Sequence, residues 1–117
     1  MCDVSVTIDP TKLGEAVARR PFGYIITVDP AGEPHLRAVV PAEQDGSFFV
    51  RVGKRSAANV SLNGKATVVW PPLGNPQEKF DDHSVIADCN ASAAMIDDEM
   101  IITFTPHSAV WHRPARP

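Results

Sequence analysis

The stretch RVGKRSAANVSLNGKATVVW, Arg51 to Trp70, sets two cations and a hydroxyl in consecutive positions, Lys54, Arg55 and Ser56, directly ahead of a short run of helix-forming residues. A helix N-terminus carries partial positive charge, so exposed cations beside it are disfavoured by about 0.3–1 kcal/mol each. A bound anion reverses that sign. The backbone N–H groups of Ala57 and Ala58, the Ser56 hydroxyl and the two cationic side chains then converge on one phosphate. The plainer alternative is that both side chains extend into water, and this stretch alone leaves the two readings open.

The remaining chemistry-bearing residues form no signature. His35, His83, His107 and His112 include no HExxH arrangement and no Cys/His cluster at zinc spacing, so no metal centre is expected. There is no GxSxG and no Walker loop, and Asp81-Asp82 and Asp97-Asp98-Glu99 read as solvated loops. Cys2 and Cys89 are far apart and form no CxxC pair, which suits free thiols in a reducing compartment.

Composition narrows the field. The chain has 117 residues, 44% of them hydrophobic, enough for one domain, 1–117, with a modest core. The formal net charge of −3 and the lack of a long basic run argue against generic nucleic-acid binding. No stretch has the length of a membrane span, and the N-terminus lacks a charged-then-apolar signal pattern, so the expected location is the cytoplasm. Eleven prolines mark loops, among them Pro71-Pro72, Pro76 and the tail prolines Pro114 and Pro117.

These residues must be positioned by the elements around them. PTKLGEAVARR, residues 10–20, predicts a first helix capped by Asp9, opened by Pro10 and stopped by Pro21, with Arg19 and Arg20 in its last turn. FGYIITVDPAGEPHLRAVVP predicts a hairpin around Asp29-Pro30-Ala31-Gly32. Tyr24, Ile26 and Val28 share one face of its first strand. On the return strand Leu36, Ala38 and Val40 share one face, and His35, Arg37 and Val39 the other. SFFVRV, KATVVWP, HSVIADCNA and EMIITFTP read as further strands, while ASAAMIDDE fits strand, loop or short helix. Between them a helix over about 57–63 is capped by Ser56 and stopped by Asn63-Gly64. The expected fold class is mainly β (α+β): a six-stranded antiparallel barrel or sandwich with an N-terminal helix and one short internal helix.

The order hairpin, strand, basic turn, short helix, strand resembles the split β-barrel of the pyridoxamine 5′-phosphate oxidase-like family that binds FMN or F420. The resemblance spans roughly 20–111 and rests on FGYIITVDPAGEPHLRAVVP, DGSFFVRVGKRSAANVSLNGKATVVW and HSVIADCNAS. It implies a homodimer with a flavin-type cofactor in a groove between subunits. By the same resemblance, Lys54, Arg55 and Ser56 meet the cofactor phosphate, Arg37, Ala38 and Val39 line the ring, and Asn59 reaches the phosphate or ribityl region. Trp70 can form a pocket wall, or serve the core or a dimer contact. Trp111 can cover the partner's groove or anchor the tail. Some relatives bind haem, for which His83 or His112 would be the ligand if neither is simply a surface residue.

The chain departs from the pattern in three ways. Ser56 stands where many relatives carry a cation, Cys89 where they often carry glycine, and several catalytic relatives are longer at the C-terminal side. The implied activity is an FMN-dependent oxidoreductase acting on a small molecule. The alternatives are an F420-dependent reductase and a non-catalytic flavin- or haem-binding module. In the two enzyme readings the flavin or deazaflavin carries the hydride chemistry, and a fixed cation such as Arg37 stabilises charge on the reduced ring, unless Arg37 pairs with Glu33 or Glu43. Arg51 reads as a structural ion-pair partner.

Overall fold

The computed structural model describes residues 4–115. The readings of Cys2 and Pro117 lie outside the described residues. In chain order the elements are β1 (Ser5–Ile8), a 3-10 turn (Pro10–Lys12) running into α1 (Leu13–Val17), β2 (Gly23–Val28), β3 (Pro34–Val39), β4 (Ala42–Gln44), β5 (Ser47–Arg51), α2 (Lys54–Asn63), β6 (Lys65–Trp70), β7 (Ser84–Ile96) and β8 (Glu99–His112). The strands join antiparallel in the order β3-β2-β6-β7-β8-β5-β4, with β1 added on β8. β8 is shared: its first half pairs with β5 and its second with β1. Among the described residues β3 pairs only with β2 and β4 only with β5, so the sheet stays open between β3 and the β4–β5 hairpin. This is the mainly β, antiparallel split barrel with two helices that the sequence implies. It has eight strands rather than six, because β1 and β4 are too short to show a periodic pattern and exist through their partners.

Turn chemistry sets the hairpins. Asp45 and Gly46 (φ 52° and 85°) join β4 to β5. Asp97 and Asp98 (φ 50° and 65°) join β7 to β8, the left-handed pair that a two-residue hairpin turn requires. The ASAAM segment is therefore strand, and the run HSAVWH, which reads as tail, continues β8. Asp29 Oδ1 accepts from the backbone N–H groups of Ala31 and Glu33, both at 2.9 Å, and closes the β2–β3 turn.

The core lies inside the curl. Phe48 stacks on Phe104 with centroids 5.2 Å apart and touches Trp70 at 5.9 Å, with Ile25, Val68 and Ile102 around them. The period-2 grouping of the β2–β3 hairpin holds, and the structure assigns its sides. Ile25, Thr27, His35 and Val39 are buried, whereas Leu36 and Val40 are 51% and 73% exposed.

Three local expectations are corrected. The first helix is shorter than 10–20. Asp9 does cap it, accepting from Thr11 N at 3.0 Å, but α1 ends at Val17. Arg19 and Arg20 instead reach the β6–β7 connection: Arg19 pairs with Asp81 and Glu78, and Arg20 donates to the carbonyls of Pro71, Phe80 and His83. Asp81 is accordingly not a solvated loop residue. It is 3% exposed and accepts from the backbone N–H groups of Gln77 (2.8 Å) and Glu78 (2.9 Å). Ser56 does not cap α2, which begins at Lys54 behind Gly53, and Ser56 is a buried residue of its first turn. The stop is as expected: Gly64 adopts φ 70° and donates to Val60 O at 2.7 Å.

Candidate functional site

The opening between β3 and β5 is a groove with two lobes. The first, about 440 Å³, is lined by His35, Arg37, Ala38 and Val39 from β3, Arg51 from β5, and Val52 to Ser56 leading into α2. Four of these side chains are Arg or Lys, and no carboxylate is among them. The second lobe, about 600 Å³, shares Ala38, Val39 and Arg51 and continues past Phe22, Val40, Ala42, Phe49 and Val50. One end is thus cationic and the other apolar and aromatic, with Arg51 at the junction.

The start of α2 explains the polar lobe. Gly53 precedes the helix in extended backbone and has no capping side chain. The first-turn N–H groups of Lys54, Arg55 and Ser56 are therefore available to an acceptor from outside. Ala57 N already bonds to Gly53 O at 3.3 Å, so the available donors lie earlier than the Ala57 and Ala58 pair that the sequence suggests. Among the described residues, Arg37, Lys54 and Arg55 take part in no salt bridge, whereas Arg51 is bonded to Glu99 at 3.1 Å. Arg37 Nη1 donates to Leu36 O at 2.7 Å and pairs with neither Glu33 nor Glu43. Burial, then Arg37 and Arg55, push the pKa of His35 down, against a weaker pull from Asp29, which favours the neutral imidazole.

Of the residues singled out from the sequence, Arg37, Ala38, Val39, Lys54, Arg55 and Ser56 come together in the groove. Asn59 and Trp70 do not. Asn59 is buried behind α2 and donates to Thr27 Oγ1 at 3.0 Å. Trp70 is 1% exposed inside the barrel. His83 is not a surface histidine: it is buried, bonded to Asp82 at 2.7 Å and set edge-on to Phe80. Trp111 stacks on Phe80 at 4.9 Å beneath Arg20 and anchors the end of β8. Among the described residues no His/Cys/Asp/Glu group is placed to hold a metal ion, and no helix is long and apolar enough to cross a membrane. Sequence reasoning misses His35 as a site residue, and the Phe22 and Phe49 walls. The one signal for His35 and Phe49 is period-2 linkage to Arg37 and Arg51, which does not reveal the side of the sheet, and Phe22 has none.

The donor set fits a phosphate-bearing group with a flat ring: cations and uncapped N–H groups at one end, aromatic and aliphatic walls at the other. The same architecture recurs in solved structures. Over 86% of this chain and 94% of the other, a protein of Listeria innocua provisionally named a pyridoxamine 5′-phosphate oxidase superposes with TM-score 0.66 at 13% identity. The heme storage protein HutZ of Vibrio cholerae gives 0.65 at 15% identity over 86% and 92%. An F420 reductase gives 0.63 at 15% over 81% and 94%. The fold is that of the pyridoxamine 5′-phosphate oxidase-like split β-barrels. No protein-family model matches the chain. It is 31% identical over 123 residues to uncharacterized proteins of Mycobacterium bovis and Mycobacterium tuberculosis, covering 94% of this chain and 83% of each relative, and it belongs to their family.

Proposed function

We propose that the chain is an FMN-binding oxidoreductase acting on a small molecule, with the flavin phosphate at the start of α2 and the ring toward the apolar lobe. The observation that carries this reading is the continuity of the two lobes: a carboxylate-free cationic pocket opens, through Arg51, Ala38 and Val39, into an aromatic one. When bound, the flavin supplies hydride transfer. Lys54, Arg55 and the first-turn N–H groups hold the phosphate, Ala38 and Val39 form a wall, and Arg37 presents fixed positive charge to the ring edge.

The outward face of the β2–β3 hairpin, with Tyr24, Ile26, Leu36, Ala38 and Val40, is apolar and runs up to the groove, which supports a homodimer formed on that face. F420 shares a phosphate-bearing tail and a flat ring, so an F420-dependent reductase is the second reading, supported by the superposition on an F420 reductase. A non-catalytic carrier of flavin or haem is the third, supported by the superposition on a heme storage protein.

Titration of purified protein with FMN and with F420, followed by fluorescence and melting temperature, tests the reading. Saturable binding of FMN that weakens in Lys54→Ala and Arg55→Ala supports it. Equal indifference to both cofactors ends it. Binding without turnover of any reductant and acceptor pair favours the carrier.

A further inference from the structure

His35 lies on the wall of the cationic lobe, 8% exposed, directly across the β2–β3 ladder from Thr27, whose hydroxyl is taken by Asn59. The histidine rings hydrogen-bonded among the described residues are those of His83 and His112, not of His35. No buried side-chain nitrogen or oxygen among the described residues lacks a partner, so the ring nitrogens of His35 keep contact with solvent, and His35 is among the residues that line the lobe. The charged groups around it are Arg37 on its own strand, Arg51 on β5 with its partner Glu99, Arg55 and Lys54 at the start of α2, and Asp29 at the hairpin turn.

Resting on the reading of this lobe as a phosphate site, we propose that His35 is its proton-taking residue: a phosphate group entering between Arg37 and Arg55 draws a proton from solvent onto the His35 imidazole, which then donates to it. The electrostatics supply the reason. In the open groove His35 faces two guanidinium groups and is poorly hydrated, both of which favour the neutral ring. A dianion neutralises the guanidinium charges and adds a close opposite charge, which favours the imidazolium. The proton comes from water or buffer, and no other bond changes. Ligand affinity therefore carries a pH dependence belonging to the protein, with tighter binding on the acid side of neutrality.

The test is calorimetric titration with FMN at pH 7 in buffers of different ionisation heat, on the wild type and on His35→Gln, with riboflavin as the ligand lacking phosphate. The difference between the two proteins separates the imidazole from protons carried by the ligand. The wild type is expected to take up more protons than His35→Gln, by about half a proton or more per FMN bound, and the difference is expected to vanish with riboflavin. Between pH 8 and pH 6 the affinity of the wild type for FMN should rise roughly three- to tenfold more than that of His35→Gln. Following the His35 ring by NMR in the wild type, with and without FMN, reads the same proton without a substitution. Equal proton uptake by both proteins, or a ring signal that titrates alike with and without FMN, overturns the proposal. Pyrophosphate in the same titration separates the two readings. If it binds with His35-dependent uptake while FMN does not bind, the flavin reading falls and the role of His35 stands. If neither binds, both fall.

Discussion

The Asn59 amide donates to the Thr27 hydroxyl across 3.0 Å, with both side chains buried, and so fastens α2 to β2. The bond holds α2 against β2, the strand that carries β3. Asn59→Ala removes one partner and leaves the other buried. It is expected to destabilise the fold by about 1–3 kcal/mol, read as a lower denaturant midpoint. FMN affinity measured on the folded protein should change little, because Asn59 does not line the groove.

Lys54 and Arg55 give opposite signs in two measurements. Both are exposed in the first turn of α2. Removing either positive charge is expected to stabilise the free protein by a few tenths of a kcal/mol, since cations oppose the helix dipole there. It should weaken FMN binding by roughly tenfold or more, the value of a charge-assisted hydrogen bond. A thermal melt and a binding titration on Lys54→Ala and Arg55→Ala check the pair. A loss of stability together with unchanged binding would contradict the phosphate assignment.

Asp81 predicts an acid-sensitive joint. The Gln77 backbone N–H, seconded by that of Glu78 and by Arg19, holds its carboxyl below the ordinary value of 3.8, against burial, which pulls the other way. A depressed carboxyl stabilises the folded state fully above the unfolded value. That contribution begins to fall below about pH 4 and is lost as pH drops through the folded value. Asp81→Asn is expected to lower the melting temperature at pH 7 and to narrow its gap from the wild type as the pH approaches 3.

The outer face of the hairpin is expected to bury itself in a dimer. Leu36→Asp or Val40→Asp forfeits about 1.5–3 kcal/mol of burial per side chain and should shift sedimentation equilibrium toward monomer. A wild type that is monomeric at every concentration would remove the dimer from the proposal.

Cys89 is expected to be inert. Burial, with a smaller contribution from Asp88, pushes its thiol up to about 12, and Sγ lies 3.6 Å from Ala87 O. Alkylation at pH 8 followed by peptide mapping should leave Cys89 unmodified in native protein and modified in denaturant.

The residue series alone determined what depends on neighbours in the chain. Asp9 caps the first helix, Asn63-Gly64 ends the second, Asp29-Pro30-Ala31-Gly32 makes a hairpin turn, and alternation groups His35 with Arg37 and Val39. These are legible because a turn or a cap is fixed by the φ preferences and hydrogen bonds of four or five consecutive residues. The cation cluster at 54 and 55 was legible for the same reason, and so was most of the groove once the order of elements was recognised.

Only the tertiary structure decided which face of β2 and β3 meets the core. On β3 the face of His35, Arg37 and Val39 is the more polar, yet His35 and Val39 are buried while the apolar Leu36 and Val40 are exposed, and a period of two assigns groups without assigning sides. It also decided the fate of Arg19, Arg20 and Asp81. Their partners lie some sixty residues away, and a buried charge is stable only where such partners already wait. The same holds for Trp70 and Asn59. A tryptophan or an asparagine near a site suits a ligand or a core equally well, and only the closing of the sheet around Phe48 and Phe104, and of α2 onto Thr27, turned both inward.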